Sequence, residues 1–166
     1  MNNGERVAKA CEKGRRVIHA VLGINAKSTS VNALVKVNIY RKVVIPSILF
    51  RCEHWSQINQ TDIRNLNTFQ HYAAKLILNV RKGTRSDIAE SILGIQRIGA
   101  TIDQRKLIFL AQLIHLDCKY IVKRMFLVRL FSYIIGEEDG NTTQQRGFIP
   151  DIVAILQKYD LRSYLD

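Results

Sequence analysis

The chain is predicted to be all-α, an irregular bundle of about six to seven helices with a kink at Pro46. Two observations predict it. Apolar residues recur at helical spacing over most of the length, and only nine Gly and two Pro are available to punctuate 166 residues rich in Leu, Ile, Ala, Lys and Arg. With 47% apolar and 23% charged residues, the composition is that of a folded globular chain long enough to bury a core.

The elements follow in order. Asn3–Gly23 carries the stripe Val7, Ala10, Cys11, Ile18, Val21 and Leu22, interrupted by Gly14, with Lys9, Lys13 and Arg16 on a shared solvent face. Gly23 and Asn25 suit its C-terminal end, and Lys27–Ser30 is a polar connection. From Val31 toward Cys52 apolar residues fall nearly all round (Leu34, Val35, Val37, Tyr40, Val43, Val44), which predicts burial on several sides. Pro46 removes a backbone donor and predicts a kink or short break, and dense β-branching leaves a strand at Val43–Phe50 as a competing assignment. After a turn at Asn59–Gln60, Ile63, Leu66, Phe69, Ala73, Leu76, Ile77 and Val80 mark Asp62–Asn79 as the clearest amphipathic helix. Arg81–Arg85 is a basic loop. Thr84 with Asp87 three residues on has the form of a capping box opening a short helix that Gly94 closes.

Ala100–Leu116 is expected to turn Ile102, Phe109, Leu110, Leu113 and Ile114 inward and Arg105, Gln112 and His115 outward. Lys119–Ile135 is a very apolar helix bearing Met125, Phe126, Leu130 and Phe131, followed by a mobile loop over 136–149 that contains Glu137, Glu138 and Asp139. A short helix near Asp151–Tyr159 ends the pattern, with Pro150 and Asp151 at its start.

Net charge is +11, all of it in the first half: residues 1–86 hold 15 Lys and Arg against 4 Asp and Glu, and residues 87–166 hold 10 against 10. One strongly basic half beside a neutral half is the distribution expected of a surface that meets polyphosphate. Cys11, Cys52 and Cys118 are three and widely spaced, which fits a reducing intracellular compartment. The first residues lack the apolar core of a secretion signal, and no apolar run approaches the roughly 20 residues of a spanning helix, so neither secretion nor membrane insertion is expected.

Four segments carry a resemblance: IYRKVVIPSILFRCEHW (Ile39–Trp55), TDIRNLNTFQHYAAKLIL (Thr61–Leu78), TRSDIAESILGI (Thr84–Ile95) and IDQRKLIFLAQLIHL (Ile102–Leu116). In this order they resemble the region that follows the catalytic core in reverse transcriptases of LINE-like, non-LTR retrotransposons; the tail GFIPDIVAILQKYDL is similar to the C-terminal end of the same reading frames. The resemblance favours a helix over a strand at Val43–Phe50. It implies that residues 1–80 are a thumb-like basic bundle gripping primer and template, that 81–135 is a helical extension on it, and that 150–166 is a short C-terminal helix. It also implies a truncated or domesticated remnant, for the fingers, the palm and the Asp pair that holds catalytic Mg²⁺ have no counterpart.

The chemistry expected is therefore binding, with no cofactor and no metal. The sequence contains no Asp-Asp dipeptide for a two-metal polymerase site. A restriction-type nuclease at Pro150–Asp151 needs a second acid beside a Lys, where Gln157 precedes Lys158. Cys52, His54 and His71 leave a fourth zinc ligand undefined, so Cys52 is expected to be a small buried hydrophobe and the histidines surface residues. Candidate phosphate contacts are Lys9, Lys13, Arg16, Lys36, Arg41, Lys42, Lys75, Arg81, Lys82 and Arg85, with Tyr40, Trp55 and Tyr72 interleaved as stacking candidates. The partner expected is an RNA or DNA duplex or an RNA–DNA hybrid. A second expectation is a helical protein-interaction module whose apolar faces meet a complete polymerase in trans or a second copy.

Overall fold

In a computed structural model, which describes residues 3–25, 32–56, 58–138 and 147–161, most of the described residues are helical and none is in a strand. The polar connection expected at Lys27–Ser30, residues 139–146 of the expected loop and the last five residues lie outside these. The helices are α1 (Asn3–Asn25), α2 (Ala33–Ile39), α3 (Ile45–Ile48), α4 (Gln60–Leu78), α5 (Ser86–Leu93), α6 (Ile98–His115), α7 (Ile121–Glu138) and α8 (Phe148–Lys158). Glu137 and Glu138, expected in a loop, belong to α7.

The chain divides into two compact units, Met1–Phe50 with Ile58–Thr101, and Arg51–Gln57 with Ile102–Asp166. In the first, α1 packs on α4 and on the segment leading into α3, and α4 packs on α5. Val7, Cys11, Gly14 and Ile18 form the buried stripe of α1. Gly14 is the point of closest approach rather than an interruption: a Cβ there would stand 2.6 Å from Ile48 Cδ1 and 2.9 Å from Phe69 Cζ. Leu66, Phe69, Ala73 and Ile77 bury the matching face of α4.

The irregularity expected at Pro46 takes the form of a π-helical turn, Tyr40–Val44, joining α2 to α3. Proline in an α-helix removes one hydrogen bond and presses its ring against the carbonyl four residues back, here Lys42; widening the preceding turn, with the Ile45 N–H donating to Tyr40 O, accommodates it. Burial of α2 is one-sided, not all round. Val37, Tyr40, Val44 and Ile48 are inside, whereas Leu34, Val35 and Val43 are exposed.

Two left-handed residues end α4 and α5. Asn79 (φ 55°) follows Leu78, with the Val80 N–H reaching Lys75 O at 3.1 Å. Gly94 (φ 58°) closes α5, the Ile95 N–H reaching Glu90 O at 3.0 Å. The expected capping box does not form. Arg85, not Thr84, is the N-cap residue, and Asp87 is bound by the Arg85 guanidinium at 2.6 and 3.2 Å.

In the second unit Leu110 packs with Ile152 and Leu156, and Leu107, Phe126 and Phe148 lie against them. α6 and α8 are also joined by reciprocal ion pairs. Lys106 Nζ, buried, donates to Asp151 Oδ2 (2.7 Å) and to the Trp55 carbonyl (2.8 Å), and Lys158 Nζ donates to Asp103 Oδ2 (2.6 Å). Asp151 thus pairs within the unit's interior. The start of α7 is fixed by buried Lys123, whose Nζ donates to Ile114 O at the end of α6 (2.7 Å). Ile114, expected inside, is exposed.

Candidate nucleic-acid interface

The two units differ sharply in charge. Residues 1–50 with 58–101 hold 15 Lys and Arg against 5 Asp and Glu, a net +10; residues 51–57 with 102–166 hold 10 against 9, a net +1. All ten candidate phosphate contacts fall in the first unit.

Their settings are not equivalent. Lys9 and Lys13 are exposed on the face of α1 opposite its buried stripe, one helical turn apart. Arg16, on the same face, pairs with Glu12 one turn back. Lys36 is half-buried within α2, and Lys42 is exposed in the π-turn. Arg41 is taken up by structure: its Nη2 donates to the carbonyls of Leu93 (2.9 Å) and Gly94 (2.6 Å), binding the π-turn to the C-terminus of α5. There a cation meets the negative end of a helix dipole and satisfies carbonyls that the helix leaves unpaired.

The basic loop is the best-defined group. A turn closed by the Thr84 N–H on Arg81 O (3.0 Å) puts Lys82 and Gly83 at its tip. Lys75 reaches out from α4 and donates to Lys82 O at 2.8 Å, so it fixes the loop. Arg85 is held by Asp87, whose carboxyl the guanidinium in turn keeps below the usual carboxylate range. The exposed side chains left to meet a phosphate here are Arg81 and Lys82. Among the described residues, Lys9, Lys13, Lys36, Lys42, Arg81 and Lys82 make no side-chain ion pair or hydrogen bond, and the same holds for exposed Arg15 and Arg64, which lie outside the ten expected positions. Only a charge count by unit brings those two into view.

Aromatic stacking is not on offer at two of the three expected positions. Tyr40 and Trp55 are buried. Burial, reinforced by nearby Glu90, pushes the Tyr40 phenol up, so it stays neutral. Tyr72 is half-buried and its hydroxyl is 2.7 Å from His19 Nε2. Cys52 is fully buried, as expected of a small hydrophobe, and His54 is exposed with its ring edge-on to Phe109 at 5.8 Å.

Beside the loop lies a cavity of about 450 Å³ lined by Asn67, His71, Arg85, Asp87, Glu90 and Arg97. Two carboxylates offset its two guanidiniums, and Glu90 also stands 3.4 Å from His71 Nε2 and accepts from buried Gln70 at 3.2 Å. It is charge-balanced and does not resemble a phosphate pocket.

Compared with protein-family models, with curated proteins and with solved structures, the chain matches none. The candidate interface is a +10 helical unit with a basic turn tied to α4 by Lys75 and two lysines one helical turn apart on its first helix. Exposed Lys and Arg side chains of this kind are suited to phosphates and not to base edges. No helix among the described residues is long and apolar enough to cross a membrane.

Proposed function

We propose that this chain is a non-catalytic nucleic-acid-binding module, an intracellular relative of the primer- and template-gripping thumb of LINE-like reverse transcriptases, holding an RNA or DNA duplex or a hybrid by its phosphates. The observation that carries this reading is the concentration of charge in one compact unit, +10 against +1. The four resembling segments supply its context, and the absence of any Asp-Asp dipeptide from the sequence accords with binding without polymerisation. Lys9, Lys13, Lys36, Lys42, Arg81 and Lys82 make the phosphate contacts, and Lys75 and Arg41 act as positioning residues.

Each phosphate neutralised on duplex DNA releases condensed counterions, so log K falls with log salt at a slope of about −0.9 per contact. Fluorescence anisotropy on a short RNA–DNA hybrid, titrated across KCl concentrations, measures it. Arg81→Ala with Lys82→Ala is expected to make the slope shallower by roughly 1.8 and to weaken binding equally on unrelated sequences. Lys119→Ala in the near-neutral unit leaves it unchanged. No binding at low salt, or binding indifferent to salt, removes the proposal.

A further inference from the structure

The cavity beside the basic loop is ill suited to phosphate because its charges balance, and for the same reason it suits an uncharged polar ligand. One carboxylate in its wall is held in place by the fold. Only 13% of the Glu90 side chain is exposed, and its Oε1 accepts from Nε2 of buried Gln70, which also donates to Gln96 O at 3.1 Å. His71 Nε2 lies 3.4 Å from the same oxygen. The other oxygen, Oε2, accepts no hydrogen bond among the described residues and is not closed off from solvent, so its lone pairs are left for donors on a ligand. Arg97, in the same wall, is exposed, and its guanidinium makes no ion pair or hydrogen bond among the described residues. Arg85 and Asp87 meet through two parallel hydrogen bonds, which hold guanidinium and carboxylate close to one plane. All of these residues belong to the basic unit.

We propose that this cavity takes the base of one unpaired guanine nucleotide at the end of a bound duplex, so that the chain reads a single base while the neighbouring turn holds phosphates. The inference rests on the nucleic-acid-binding reading above. Guanine sets two donors side by side, N1–H and the N2 amino group, and two acceptors side by side, O6 and N7. The donors suit Glu90, and the acceptors suit the fork of Arg97. Adenine and cytosine would turn a ring-nitrogen lone pair toward the carboxylate beside their amino group, and uracil offers one N–H between two carbonyls. Each leaves a polar group unmet or opposed. In a paired guanine the N1 and N2 donors are taken by cytosine, so only an unpaired one fits. The flat Arg85–Asp87 pair gives the base a surface to stack on, as guanidinium planes do for bases splayed out of a helix. A volume of about 450 Å³ admits a base with its sugar.

Fluorescence anisotropy on RNA–DNA hybrids whose RNA strand ends in a single unpaired G, A, C or U tests this with charge and length held constant. The G overhang is expected to bind about tenfold tighter than the other three. Inosine, which lacks the N2 amino group, and 7-deazaguanine, which lacks N7, should each lose at least about threefold with the protein unaltered. Glu90→Gln keeps an acceptor for Gln70 and turns an amide toward the base; it should reduce the preference for G to below about twofold while the salt slope on a blunt hybrid stays unchanged. Equal binding of all four overhangs overturns the inference and leaves nucleic-acid binding standing, whereas no binding of any hybrid removes both. Guanosine monophosphate should displace the G overhang only at millimolar concentration, and displacement in the micromolar range would assign the cavity to a free nucleotide and overturn the reading of a strand end.

Discussion

At the scale of single residues, a cation's neighbours decide more than its sign. Arg41 and Lys75 count as basic residues in the sequence, yet each directs its charge at backbone carbonyls of its own chain. Neither use was legible beforehand, because the acceptors lie at Gly94 and Lys82 and only the fold brings them near. Lys106 is the stronger case. Its burial depends on Asp151, 45 residues later, so the periodicity of α6 alone gave no sign of it. Cys52 was legible, since a lone cysteine in an apolar run behaves as a small hydrophobe. Burial, with Glu53 adding to it, pushes its thiol up to about 11 from an ordinary 9.0. The folded state then holds a proton that the unfolded state releases, so this group's contribution to stability is full below pH 9 and is lost as pH rises toward 11. Urea midpoints measured across that window are expected to fall less steeply for Cys52→Ala than for the native chain, and parallel curves would contradict the assignment.

At the scale of elements, the sequence located most helices to within a few residues, since strong periodicity on α1 and α4 leaves little choice of which side faces in. What it left open was how closely the helices approach and which apolar residues are left over. Gly14 broke the stripe on paper; in the fold it lets α1 lie against Ile48 and Phe69. Gly14→Ala gains about 1 kcal/mol of helix propensity but forces a methyl into that contact, where overpacking costs about 1–3 kcal/mol. The net expectation is destabilisation, with a lower urea midpoint and an unchanged m-value. A midpoint equal to or above the native one would mean the two helices separate readily. The second surprise, the exposed Leu34, Val35 and Val43, has a simple cause: an all-round apolar pattern cannot say how many neighbours a helix has.

At the scale of the whole molecule, the division that matters is electrostatic. The sequence showed that its excess charge lies in the first half, and the structure assigns +10 of it to one compact unit. Residues 87–101 join that unit although they lie beyond the basic half, because α5 packs on α4 and Arg41 holds its end. A folded body with such an excess repels itself, and salt screens the repulsion over about 10 Å at 0.1 M. Raising KCl is therefore expected to raise the thermal midpoint of the free protein while it weakens nucleic-acid binding, two opposite trends read by calorimetry and anisotropy on one sample. A midpoint that falls with salt would show that the ion pairs outweigh the repulsion.

The contact between Arg41 and the end of α5 also bears on the order in which the protein assembles. It joins residues more than fifty apart, so the chain between them must first be gathered in, at an entropic cost that local helix formation does not meet. α4 and α5, neighbours in sequence and joined by a five-residue turn besides Asn79 and Val80, can dock early. The guanidinium is therefore expected to close on Leu93 and Gly94 late in folding and to open early in unfolding, and Arg41→Ala is expected to speed unfolding while leaving the folding rate nearly unchanged in stopped-flow measurements.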